Sequence, residues 1–187
     1  TDMGVNMVGF CLCDEDACCN ASRDEIIRRY FTALGKYADY RTTEDEVSKI
    51  ALNMKQAKID INYRRTVPAA RQYRDETGHT SAAIELADGT IITAHSSELL
   101  GCSAALLLIA TKYLAQIDHE VKLIPQEMIE PIQKMKFEYL QGQNVRLHSD
   151  EVLVSLSMLS VRDENCRRAL ETLPLLRGCQ LHATVML

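Results

Sequence analysis

A turn, a short strand and a Ser/Gly-rich helix start follow one another in Asp88-Gly89-Thr90-Ile91-Ile92-Thr93-Ala94-His95-Ser96-Ser97-Glu98-Leu99-Leu100-Gly101-Cys102-Ser103-Ala104-Ala105, a succession that can bind an anion. The first turn of a helix leaves about four N–H groups unpaired and carries partial positive charge. Ser97, Gly101 and Ser103 would supply the donors. Ser96 or Ser97 capping the helix is the other use of the same residues. A second concentration, Arg146-Leu147-His148-Ser149-Asp150-Glu151, puts a cation, an imidazole and two carboxylates at another helix start. A Ser cap and first-turn acids account for Ser149, Asp150 and Glu151. Arg146 is then left over as a charge for an anion, and His148 as a group able to exchange a proton. Cys179 and His182 complete the candidate ligand contacts. They can pair as thiolate and imidazole only if their strand bends, because side chains three apart on a strand point to opposite faces.

Metal chemistry finds residue types without spacing. His95-Ser96-Ser97-Glu98 is close to the His-x-Glu of zinc deaminases but one residue longer, and no Pro-Cys-x-x-Cys follows. Cys11-Leu12-Cys13 and Cys18-Cys19 lack the Cys-x-x-Cys arrangement of a zinc knuckle. The expectation is no metal, and free, partly buried thiols. Nothing in the sequence names a cofactor.

Composition narrows the function classes. The chain has 187 residues, 47% of them hydrophobic, with a formal charge of −5 and an isoelectric point near 5.5. That length suffices for one good core, with or without a small subdomain. Nucleic-acid binding needs clustered Lys and Arg, whereas the pairs Arg28-Arg29, Arg64-Arg65 and Arg167-Arg168 stand among acids. No apolar run reaches the roughly 18–20 residues that a bilayer span requires, and no export signal is visible at the start. Seven scattered cysteines fit the thiols of a reducing cytoplasm better than a disulfide framework. The expectations are a cytoplasmic location, no nucleic-acid partner and no membrane.

The elements that must hold these residues follow from periodicity. Residues 4–12 read as a strand. Ser22 and Glu25 match a capping box, with Ile26, Ile27, Tyr30, Phe31, Leu34 and Tyr37 at helical spacing behind them. Thr43 and Glu46 repeat the device before Val47, Ile50, Ala51 and Met54, and Pro68 sits in the first turn of a third helix ending before Gly78. Residues 82–86 and 90–94 flank Ala87-Asp88-Gly89 as a hairpin. Residues 103–115 are apolar nearly all round, so that helix is central or lies in an oligomer interface. A strand at Val121-Lys122-Leu123-Ile124 comes next, then a helix marked by Met128, Ile129, Ile132, Met135 and Tyr139, with Pro131 able to kink it. Helices from Ser149 and over residues 163–173, and a final strand alternating from Leu181, close the pattern. Hairpin, helices and strands together make a sheet with helices packed on it.

Several strings look like one bacterial family: Met3-Gly4-Val5-Asn6-Met7-Val8-Gly9-Phe10, Glu25-Ile26-Ile27-Arg28-Arg29-Tyr30, Ile129-Glu130-Pro131-Ile132-Gln133, Arg146-Leu147-His148, Asp150-Glu151-Val152-Leu153 and Arg177-Gly178-Cys179. On these the chain resembles the C-terminal part of the family called domain-of-unknown-function 1846, the UPF0371-like proteins. The resemblance implies a preceding α/β domain, likened to nucleotide-binding folds, and a short tail beyond this chain. It also implies a helical subdomain followed, from Ser81, by an α/β subdomain shaped like the cytidine-deaminase fold without its zinc site. The family pattern has Gly-Lys-Thr at Ala94-His95-Ser96 and Ala at Cys102, and it does not include Cys13, Cys18 or Cys19.

The fold class expected is therefore mixed α/β (α+β), a helical subdomain followed by an α/β/α sandwich. Residues 1–20 would be a strand and linker completing a preceding domain, 21–78 the helical subdomain and 79–187 the α/β subdomain. The function expected is a pocket for an anionic or phosphorylated small molecule. Ser97, Gly101, Ser103, Arg146, Asp150, Glu151, Cys179 and His182 would contact the ligand, and His148 would be the group of catalytic type. The alternative is a non-catalytic module for homo-oligomerisation and contact with a preceding domain.

Overall fold

The structure, a computed structural model, describes residues 14–185. The strand expected over residues 4–12, together with Cys11 and Cys13, lies outside them. The described chain divides into two compact units between Arg64 and Arg65.

The first unit is helical. Helix α1 (Glu15–Ala38) begins seven residues before the expected Ser22 cap, because Asp14 Oδ1 accepts from Ala17 N–H at 2.9 Å with Glu15 and Asp16 in the first turn. A carboxylate cap and two acids at the positive helix end outweigh a Ser that fits equally well inside the helix. Glu25, expected to close the capping box, instead ties Arg28 at 2.7 Å and Arg29 at 2.9 Å. Those two guanidinium groups hold its carboxyl down to about 2. Helix α2 (Glu44–Gln56) starts after Thr43, whose side chain makes no cap bond; the Thr42 hydroxyl reaches the Glu46 carboxylate instead. A 3₁₀ turn (Ile61–Tyr63) is fastened to α1 by the Tyr63 hydroxyl donating to Asn20 Oδ1 at 2.5 Å.

The second unit is a three-layer arrangement. Helix α3 (Thr66–Thr77) ends at Gly78, whose φ of 72° suits the left-handed cap position. Strands β1 (Ser81–Glu85) and β2 (Ile91–His95) form the expected hairpin, with Gly89 at φ 81° in its turn. Strand β3 (Gln180–Ala183) pairs with the other edge of β1, so the order is β2-β1-β3 with every pairing antiparallel. One face, carrying Ala82, Ile84, Ile92 and Ala94, packs on Cys102, Leu106 and Ala110 of helix α4 (Cys102–Leu114). The opposite face carries Ser81, Ala83 and Glu85, because strand side chains alternate. It lies against α3, where Arg65 pairs with Glu85 at 2.7 Å and Tyr73 lies 5.8 Å from His95. With helices on both faces, β1 is buried almost throughout. The class is thus mixed α/β, built on three antiparallel strands.

The rest of this unit packs on α4. Helices α5 (Gln126–Lys134), α6 (Ser149–Leu159) and α7 (Glu164–Glu171) follow, and a 3₁₀ turn (Leu173–Leu176) leads to β3. The strand expected at residues 121–124 does not form. Leu123 and Ile124 are buried in two core clusters and Val121 packs partly buried against one of them. Its carbonyls are satisfied by side chains: Lys112 Nζ donates to Val121 O at 3.2 Å, and the Cys166 thiol donates to Leu123 O at 3.1 Å. Burial produced the apolar run, and side chains replaced the strand partner that such a run otherwise needs. Pro131 lies inside α5, whose hydrogen bonding widens to a π-helical turn over Met135–Tyr139.

Candidate functional site

Two helix starts meet in the second unit. Leu100 and Leu147 form an isolated parallel bridge: Gly101 N–H donates to Leu147 O at 3.0 Å and Leu147 N–H to Leu99 O at 2.9 Å. Each of these extended segments runs directly into a helix, α4 after Gly101 and α6 after His148. The positive ends of the two helices therefore open side by side. The Ser149 and Ser103 hydroxyls, one on each first turn, are 3.2 Å apart.

Arg146 joins this arrangement from the α6 side. Its Nε donates to Ser97 O at 2.6 Å, while its two terminal nitrogens have no partner among the described residues. Ser97 Oγ accepts from Leu99 N–H at 3.2 Å and Leu100 N–H at 3.1 Å, which shapes the turn. The N–H groups of Ser97 and Gly101 are committed to Leu100 O and Leu147 O, so neither backbone donor is open to a ligand. The Ser97 hydroxyl proton and the first-turn donors of α4 are what this turn can offer.

A residue the sequence reading missed holds the second segment in place. Lys136, in the π-helical turn, donates to Arg146 O at 2.7 Å and to Glu151 Oε2 at 2.8 Å. Its side chain is 12% exposed and that of Glu151 25%. Glu151 also accepts from His148 N–H at 2.8 Å, in the manner of a capping box, so it serves the backbone rather than a ligand. The cap position expected of Ser149 belongs to His148. His148 Nε2 lies 3.4 Å from Asn144 Nδ2, and because an amide nitrogen only donates, that ring nitrogen is the acceptor. Asp150 is exposed on the first turn of α6.

The remaining candidates lie elsewhere. Cys179 packs against the α4-side core, while His182 pairs with Ala83 and so faces the α3 side. The strand does not bend to bring them together. His95 also turns to the α3 side, its ring stacked on His79 at 5.5 Å, and its Nδ1 donates to Ser96 O at 2.9 Å. The rule that ligands gather beyond the carboxyl ends of open α/β sheets concerns parallel strands. The strand from residues 91–95 is antiparallel to its neighbour, so that rule gives this end of the sheet no priority.

Thiol chemistry is quenched where it was best placed. Cys102 opens α4, yet burial raises its pKa. Cys166 is pushed up to about 11, also by burial. Both are held as protonated thiols at neutral pH. Among the described residues no three His, Cys, Asp or Glu side chains form a group able to hold a metal ion. None of the described helices is long and apolar enough to cross a membrane.

Comparison with known proteins gives the family. The profile described as "Domain of unknown function DUF1846, C-terminal" matches residues 62–187. The corresponding N-terminal profile matches residues 1–58, so the resemblance is not confined to the family's C-terminal part. Among curated relatives, a UPF0371 protein of Corynebacterium aurimucosum is 51% identical over 187 residues, covering 100% of this chain and 38% of that protein. A UPF0371 protein of Corynebacterium glutamicum is 49% identical over 190 residues, with the same coverage of 100% and 38%. One from Streptococcus thermophilus is 43% identical over 187 residues, again covering 100% and 38%. The chain thus spans 38% of the length of these relatives. A family profile running through more than half of it, and relatives matching from end to end, show that the chain belongs to the DUF1846 family, whose curated bacterial members here carry the name UPF0371.

Proposed function

We propose that the second unit binds a small anion, phosphate or a phosphorylated small molecule, where α4 and α6 begin. One observation carries this reading: two helix N-termini lie abreast, with the terminal nitrogens of Arg146 unpaired beside them. Helix starts favour negative charge, and an oriented guanidinium adds two parallel donors for a phosphate or carboxylate. Ser97, Ser103 and Ser149 contribute hydroxyls, His148 is the group of catalytic type beside them, and Asp150 accepts from a ligand hydroxyl.

Thermal unfolding of the chain with inorganic phosphate, sugar phosphates and nucleotides tests this. Ligand at about 100 times its Kd adds roughly 2.7 kcal/mol, a rise of several degrees for a chain of this size. Arg146→Ala is expected to weaken the response by about tenfold or more, the value of a charge-assisted hydrogen bond. A response to none of these anions, or one that Arg146→Ala leaves intact, sinks the proposal.

An assembly role is the second reading, supported by apolar side chains left in water. Val154 and Met158 on α6 are 60% and 69% exposed, four residues apart on one side. On this reading the chain forms a concentration-dependent dimer that Met158→Glu disrupts. Sedimentation showing a monomer at all concentrations would remove it.

A further inference from the structure

A cavity of about 350 Å³ opens between α4, the segment of residues 119–124 and α5, and extends to Leu99 and Leu100 ahead of α4. Leu108, Ile109, Val121, Ile124 and Ile129 make its wall apolar. Its size lies at the lower end of small-molecule sites, which combine such walls with a few placed polar groups. The polar residues on the lining are Lys112, His119, Glu120, Lys122 and Gln126. Lys112 lines the cavity, and its Nζ donates to His119 O at 2.6 Å and to Val121 O at 3.2 Å. An ammonium has three N–H donors. The third has no acceptor among the described residues, and no carboxylate there comes within ion-pair distance of Nζ. The Asp118 and Glu120 carboxylates approach the His119 ring at 3.4 Å and 2.8 Å, and Glu120 also lies on the cavity lining. Burial lowers the Lys112 pKa, and the Glu120 and Asp118 carboxylates, which act on it from beyond ion-pair distance, offset that only in part.

We infer that this cavity takes a small carboxylate bearing an apolar chain, the carboxylate accepting the third Nζ–H of Lys112 and the chain lying on Leu108, Ile109 and Ile124. The two carbonyls fix the ammonium at the wall, so the remaining donor is held in place before a ligand arrives. A carboxylate there supplies the missing charge, and the chain replaces water on an apolar surface. Lys122 and Glu120, also on the lining, add one charge of each sign, so the preference for a carboxylate rests on Lys112. Octanoate and 1-octanol, alike in chain and different in charge, separate these contributions.

Calorimetric titration of the chain with both probes is the test. Octanoate is expected to bind at least about tenfold more tightly than octanol, the value of a hydrogen bond between charged groups. Lys112→Met is expected to abolish that preference and leave octanol binding unchanged. Equal binding of the two probes by the unaltered chain, no binding of octanoate, or a preference that survives Lys112→Met overturns the inference. Should Lys112→Met also lose octanol, the loop it anchors has moved, and Ile109→Glu decides. A carboxylate on that part-exposed wall residue repels octanoate and weakens it by at least about tenfold if the site is here; unchanged affinity places octanoate elsewhere and overturns the inference.

Discussion

Leu147→Ala is expected to destabilise the second unit by about 2–5 kcal/mol, the range for truncating a buried leucine to alanine. Leu147 is 0% exposed and packs with Ala104, Ile124, Ile129 and Val152. Its backbone makes both hydrogen bonds of the bridge that sets the starts of α4 and α6 side by side. The cavity left by truncation therefore lies directly beneath the proposed anion site. A fall in Tm on the order of 10 °C follows for a domain of this size, measurable by calorimetry or circular dichroism. The response to phosphate should weaken as well, even though no group that touches the anion has been removed. A fall of less than about 2 °C would mean that this cluster is not the packed core described here.

Lys136→Met is expected to cost about 2 kcal/mol, less than the roughly 3–5 kcal/mol of breaking a fully buried pair. The discount follows from Glu151, which is 25% exposed and keeps the His148 N–H as a partner. The variant also frees Arg146 O, so the segment carrying the guanidinium loses one of its anchors. A double-mutant cycle with Glu151→Gln in urea separates these effects, because residues in direct contact show coupling energies of about 0.5–3 kcal/mol. Additive losses would show that the pair contributes no energy of its own. Weaker anion binding in Lys136→Met, with Arg146 intact, would identify Lys136 as a positioning residue.

The contrast between these two sites shows how far local signals reach. The hairpin of β1 and β2 was legible because Gly89 supplies the left-handed turn and the flanking residues favour strands. The third helix was legible from Pro68 near its start and Gly78 at its end. Ser22 failed as a helix start because Asp14 with Glu15 and Asp16 competes for the same role a few residues earlier, and a Ser–Glu pair has the same local appearance inside a helix. The run at residues 121–124 failed for a different reason. Apolar composition reports burial, and a strand also needs a neighbouring edge to pair with.

At the two helix starts the sequence singled out Arg146 and His148, the groups that helix capping left over, whereas for Ser97 capping remained an alternative use. Lys136 was not legible. It lies between Met135 and Phe137, and only the π-helical turn over Met135–Tyr139 accompanies its reach to Arg146 and Glu151. Cys102 stands at the first position of a helix, but burial raises its pKa and keeps the thiol protonated. That depth is set by Ala82, Ile84 and their neighbours across the sheet.

By itself the sequence determined the mixed α/β class, the hairpin, most helices of the second unit and the family, because periodicity, turn residues and caps act over a few positions. Only the tertiary structure decided what stands beside what. Arg146 reaches Ser97 across 49 residues and Ser149 reaches Ser103 across 46, and the bridge of Leu100 with Leu147 aligns two helix starts that no local pattern connects. Such contacts form when buried leucines pack and backbone donors find distant acceptors. Their geometry belongs to the folded chain as a whole, and it is this geometry that turns two ordinary helix starts into one candidate site.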